Sequence, residues 1–101
     1  MTQEPLFQLG NCYMTPGINT LVAQRGLSID HYLYRHQRGD WGDVAPKDAQ
    51  ANKKAVRMDA RVLSAYVLPP VSESEKLAPV KVWLITEADR SSTTILLPEE
   101  Y

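Results

Sequence analysis

The stretch from residue 61 onward constrains this chain most, because three runs of strand-forming residues follow one another there. Residues 61–68 (RVLSAYVL), 80–86 (VKVWLIT) and 92–97 (STTILL) carry the β-branched and aromatic side chains that suit a pleated surface. Residues 87–91 are short enough for a tight hairpin, and residues 69–79, rich in proline, serine and glutamate, make a long polar hairpin tip. Consecutive strands joined this way pair as an antiparallel meander.

The first half reads as helices. Thr15 has the residue type of an N-cap, Pro16 suits the first helical position, and Gly26 stops the run after Ile18, Leu21 and Val22. Ser28 is a second N-cap candidate. Beyond it, Ile29, Tyr32, Leu33 and His36 recur at helical spacing on one face. Gly39 breaks that helix and opens a turn-rich loop, Gly39-Asp40-Trp41-Gly42-Asp43. Pro46 starts a third helix to about Met58, with Ala51, Ala55 and Met58 as a thin apolar stripe. The expected fold class is α+β in a single domain, residues 1–101: short N-terminal helices packed on a C-terminal three-stranded antiparallel meander. Residues 6–9 are a candidate fourth strand at one edge.

Composition narrows the function classes. With 44% hydrophobic and 23% charged residues the chain is ordinary globular material. No apolar run approaches the roughly 20 residues that span a bilayer, so no membrane partner is expected. The first residues lack a basic start and an apolar stretch, and a single cysteine, Cys12, excludes an internal disulfide. Both point to the cytoplasm. A net charge of −1 argues against a nucleic-acid coat protein and against a DNA mimic. The charge is uneven, however. Residues 35–61 hold Arg35, Arg38, Lys47, Lys53, Lys54, Arg57 and Arg61 against four acids, which reads as a solvated helix or as a basic face for an anionic partner.

Cys12, His31 and His36 have no metal-ligand spacing, so neither a metal nor another cofactor is expected. Cys12 reads as a small buried hydrophobe. His36 is a candidate acid–base residue, because imidazole titrates near neutrality; its structural reading is a cation at a helix C-terminus. Asp40 and Asp43 would orient that ring, or cap the turn and the next helix. Trp41 is a lid on the core or a binding anchor. Arg90 can clamp a phosphate, with the Ser92 and Thr94 hydroxyls on the same strand face; the competing reading is an ordinary polar hairpin. Glu99-Glu100-Tyr101 reads as an exposed tail from which Tyr101 can dock back.

Three segments together carry a resemblance: His36-Gln37-Arg38-Gly39-Asp40-Trp41-Gly42-Asp43, Arg61-Val62-Leu63-Ser64-Ala65-Tyr66, and residues 85–101 from Ile85-Thr86-Glu87-Ala88-Asp89-Arg90 to Leu97-Pro98-Glu99-Glu100-Tyr101. Over about residues 5–101 the chain resembles a family of short bacterial proteins carried by plasmids, integrative elements and phages. It departs from that family at residues 69–79, where the family has a tighter hairpin. The arrangement is also similar to the compact ribonuclease fold shared by barnase, EndoU, colicin toxins and RelE. That likeness implies a small metal-independent, RNA-directed nuclease-like domain, with His36 as acid–base residue and Arg90, Ser92 and Thr94 on the scissile phosphate. The alternative is a non-catalytic anti-defence inhibitor, anti-CRISPR or anti-restriction, that binds a host defence protein through Trp41, the 69–79 tip and the acidic end.

Overall fold

The computed structural model of the chain describes residues 4–26, 28–68 and 80–101. The expected hairpin tip at 69–79 lies outside them. The elements run β1 (Asn11–Met14), α1 (Pro16–Arg25), α2 (Asp30–Gln37), α3 (Pro46–Met58), β2 (Val62–Leu68), β3 (Val80–Thr86) and β4 (Ser92–Leu96), then a 3-10 turn at Pro98–Glu100. The fold is α+β, with a four-stranded sheet in the order β1-β4-β3-β2. β2, β3 and β4 form the expected antiparallel meander, and β1 pairs with β4 in parallel. The sheet is therefore mixed.

The fourth strand is residues 11–14 and not 6–9. Phe7 is drawn into the core, and Gly10 then turns the chain at φ +66° against Ser91, so the ladder with β4 starts only beyond it. The helix starts behave mostly as read. Thr15 caps α1, its hydroxyl oxygen accepting from the Ile18 amide, and Gly26 closes that helix at φ +61°. Ser28 does not cap α2, which begins after Ile29 with no side-chain cap. On α3 the inward positions are Ala49, Asn52, Ala55 and Val56, whereas Ala51 is exposed and Met58 is 65% exposed.

Strand alternation sends Val62, Ser64, Tyr66, Leu68, Val82, Leu84, Thr86, Thr93 and Ile95 to one face of the sheet. The helices cover that face. Its apolar residues form two clusters: Ile18, Ile29, Tyr66, Leu68, Val82, Leu84 and Ile95 in one, and Phe7, Trp41, Ala55 and Val62 in the other. The outer edge of β2 is covered at Leu63 and Ala65. Asp43 donates its amide to the Ala65 carbonyl, Ala65 donates to the Trp41 carbonyl, and the Asn52 side chain pairs with both backbone groups of Leu63. β1, at the other edge, is exposed along its whole length.

Candidate functional site

His36 has no exposed surface, and its partners can be assigned proton by proton. Thr93 has one hydroxyl proton and gives it to the Leu9 carbonyl at 2.8 Å. At the 2.7 Å contact with Thr86, Thr93 must therefore accept. That spends the Thr86 proton, so the Thr86 oxygen accepts from His36 Nε2–H at 2.9 Å. With Nε2 protonated on a neutral ring, Nδ1 is bare and accepts from the Ser64 hydroxyl at 2.5 Å. The ring is held neutral: burial first, and the positive charge of Arg90 second, lower its pKa to about 3. Phe7 and Trp41 meet the ring edge-on at 5.2 and 6.2 Å. His36 is thus neither a cationic helix cap nor a proton donor within reach of solvent. It packs against Phe7 and Trp41 and anchors a polar chain whose members all have partners.

Arg90 stands at the hairpin after β3 with φ +60°. Its guanidinium donates to the carbonyls of Ala60 (2.6 Å), Glu87 (3.1 Å) and Ala55 (3.0 Å), closing the C-terminal end of α3, where unpaired carbonyls favour a cation. Phe7 touches both it and His36, its ring centre 5.4 Å from the guanidinium carbon and 5.2 Å from the imidazole centre. Ser92 and Thr94 are half-buried on the opposite face of the sheet from His36. The four residues assigned to catalysis are therefore not gathered around one cleft. Arg90→Ala is expected to cost about 2 kcal/mol, because three charge-assisted bonds go at once. Urea unfolding checks this, and a loss within about 0.5 kcal/mol would remove the capping role.

The loop residues are structural too. Asp40 accepts from Arg35 Nε at 2.7 Å and Nη2 at 3.1 Å and from the Gly42 amide, and the Arg35 bond holds its carboxyl below the ordinary range. It pairs with Arg35, not with His36. Asp43 meets Lys81 at 3.5 Å and does not cap α3, whose N-cap is Ala45. Trp41 is buried and stacks on Phe7, as a lid on the core. Cys12, expected inside, is exposed on β1 because that strand lies at the open edge. Partial desolvation, helped by Asp30, pushes its thiol up and keeps it a poor nucleophile.

Tyr101 lies elsewhere. The last residues are no free tail: Glu100 accepts from the Thr15 hydroxyl (2.5 Å), the Gly17 amide (3.1 Å) and the Leu97 amide (2.8 Å), which pins the 3-10 turn to the start of α1. Tyr101 then packs edge-on against Trp83 at 5.7 Å and accepts from Arg61 at 3.2 Å. Both aromatic rings sit on the face of the sheet opposite the helices. Strand register places Tyr13 beside Thr94, Ile85 beside Thr94, Trp83 beside Leu96, and Val67 beside Lys81 on that face. The C-terminal turn crosses it, and Ala65, Ile85 and Leu96 on it are buried. Tyr13, Val67 and Tyr101 are 54%, 47% and 69% exposed there. Its charges are paired among themselves, Arg61 with Glu87 and Lys81 with Asp43.

Three of the residues singled out in the sequence, Ser92, Thr94 and Tyr101, thus share this surface. Tyr13 and Trp83 were missed, although outward phase within β3 marks Trp83. Ser64, Thr86 and Thr93 were also missed, yet each is a polar residue at an inward strand position. No family model matches the chain, and neither the curated proteins nor the solved structures contain a match.

Proposed function

We propose that this chain is a non-catalytic binding protein of a mobile element, which acts by docking a host defence protein on the sheet face opposite its helices. One observation carries the reading: Tyr13, Val67 and Tyr101 stand exposed on the sheet face that also carries Trp83, the face opposite the buried Val62, Ser64, Tyr66 and Leu84. Tyrosine, tryptophan and arginine are the side chains that dominate interface energetics, and an apolar centre with a polar rim is the anatomy of a protein interface. Among the described residues the rim charges already hold one another, Arg61 with Glu87 and Lys81 with Asp43, which leaves no surplus of cations there for phosphate. The mobile-element setting comes from the sequence resemblance and makes a defence protein the partner to test first. The nuclease-like reading finds less support, since His36 has no route to a substrate and Arg90 is spent on carbonyls.

The test expresses the chain in a host carrying a restriction or CRISPR system and counts plaques of a targeted phage. Wild type should raise plating. Tyr13→Glu with Val67→Glu should abolish the effect while melting within a few degrees of wild type, since both side chains are exposed. Replacing an interface aromatic is worth about 2 kcal/mol, or roughly 30-fold in affinity. Unchanged plating with every defence system tried, or RNA cleavage by the purified chain in chelator, would count against the proposal.

A further inference from the structure

On the helical side of the sheet a cleft of about 470 Å³ opens between the Gly39 loop and α3, lined by Leu6, Arg38, Gly39, Trp41, Lys53, Val56 and Arg57. Among the described residues that line it, the floor is apolar and the rim holds three cations and no acid. Lys53 and Arg57 are one turn apart on α3 and, among the described residues, form no ion pair. Like charges at that spacing repel. Arg38 comes from the opposite wall. Its guanidinium carbon lies 3.6 Å from the centre of the Tyr34 ring, and it donates to the Tyr34 carbonyl at 3.3 Å, which holds it at the rim. Gly39, at φ +87°, turns the chain there, and a side chain would meet Leu6 at 3.1 Å.

Cations on both walls of an apolar slot suit a ligand with an apolar body and a concentrated negative charge. A carboxylate carries one charge, whereas a phosphate monoester carries about −1.5 to −2 at neutral pH and takes guanidinium in bidentate fashion. Charge complementarity favours phosphate. We propose that this cleft binds a nucleotide unit, with Arg38, Lys53 and Arg57 on its phosphate and Leu6, Trp41 and Val56 against its base. A free nucleotide and a single-stranded nucleic acid share that chemistry. The cleft and the aromatic sheet face lie on opposite sides of the sheet, so the two proposals stand or fall separately.

The experiment titrates the full chain with ATP by calorimetry and with fluorescein-labelled ten-residue oligo-U and oligo-A by anisotropy, at low salt. Saturable binding of ATP alone marks a nucleotide pocket, and binding of an oligonucleotide alone marks a single-strand site; either supports the inference. Lys53→Glu with Arg57→Glu should weaken binding at least ~30-fold, as expected when two charge-assisted bonds become repulsions. Lys53→Arg with Arg57→Lys should retain most of it, and rising salt should weaken it. All these positions are exposed, and matching melting curves check that the variants fold. The inference is overturned if neither probe binds, if the double charge reversal leaves binding unchanged, or if poly-glutamate competes as well as the nucleotide does.

Discussion

Moving from pH 7 to pH 5 is expected to cost this protein about 2 kcal/mol of stability through His36 alone. The folded-state pKa, about 3, lies below the ordinary value of 6.5. The unfolded chain therefore takes up a proton as pH falls through 6.5, while the folded chain does not. Stability is fully present above about pH 6.5 and declines below it by roughly 1.4 kcal/mol per unit until the folded ring itself titrates. Urea midpoints at pH 7, 6 and 5 measure the slope. Because Ser64 and Thr86 lose their partner if His36 alone is changed, the informative variant replaces the set: His36→Phe with Ser64→Ala and Thr86→Val. Removing both sides of buried hydrogen bonds with retained shape is far less damaging than orphaning one. That variant should show a flatter profile between pH 7 and 5. A His36 ring resonance that titrates near 6.5 would sink the explanation.

Gly42→Ala is expected to cost about 4 kcal/mol or more, a large part of the roughly 5–15 kcal/mol available to a domain of this size. Gly42 sits at φ +74°, and a Cβ there would lie 2.1 Å from the Ala65 carbonyl oxygen and 2.6 Å from the Tyr66 ring. Neither neighbour can yield. The oxygen accepts from Asp43, and the Tyr66 hydroxyl donates to the Asp40 carbonyl at 2.6 Å in a setting that pushes its pKa up to about 12. Gly26→Ala is the control, since Gly26 has a similar φ of +61° but nothing within 4 Å of the added carbon. It should cost only about 1–2 kcal/mol, the backbone term alone. Equal losses for the two variants, in thermal or urea unfolding, would mean that close approach at Gly42 plays no part.

What was legible in the residues was local. The caps at Thr15 and Gly26, the proline start at Pro46 and the strand at 80–86 are written in neighbouring residues, and the structure has them there. β1 was not legible, because Asn11-Cys12-Tyr13-Met14 is exposed throughout and carries no alternation; it is a strand only because β4 lies beside it. His36 drew notice for ending an apolar face, yet its partners Ser64 and Thr86 lie 28 and 50 positions away. Arg90 misled for a similar reason. Guanidinium at a polar hairpin fits phosphate chemistry, and nothing near it in sequence announces the Ala55 and Ala60 carbonyls. The surface around Tyr13, Trp83 and Tyr101 likewise exists only once the sheet is assembled.

The parallel pairing of β1 with β4 sets an order of events during folding. β2, β3 and β4 are neighbours in the chain and can zip together as hairpins. β1 cannot join until β4 is in place, and the Thr15–Glu100 bond that fastens the same corner links residues 85 positions apart. Closing a loop of that length carries an entropy cost before any contact rewards it, so such pairings slow folding. Until then the edge of β4 stands unpaired, a template for strands of other molecules. The refolding chain is thus most prone to aggregate in the interval before its first strand, early in sequence and late in assembly, covers its last.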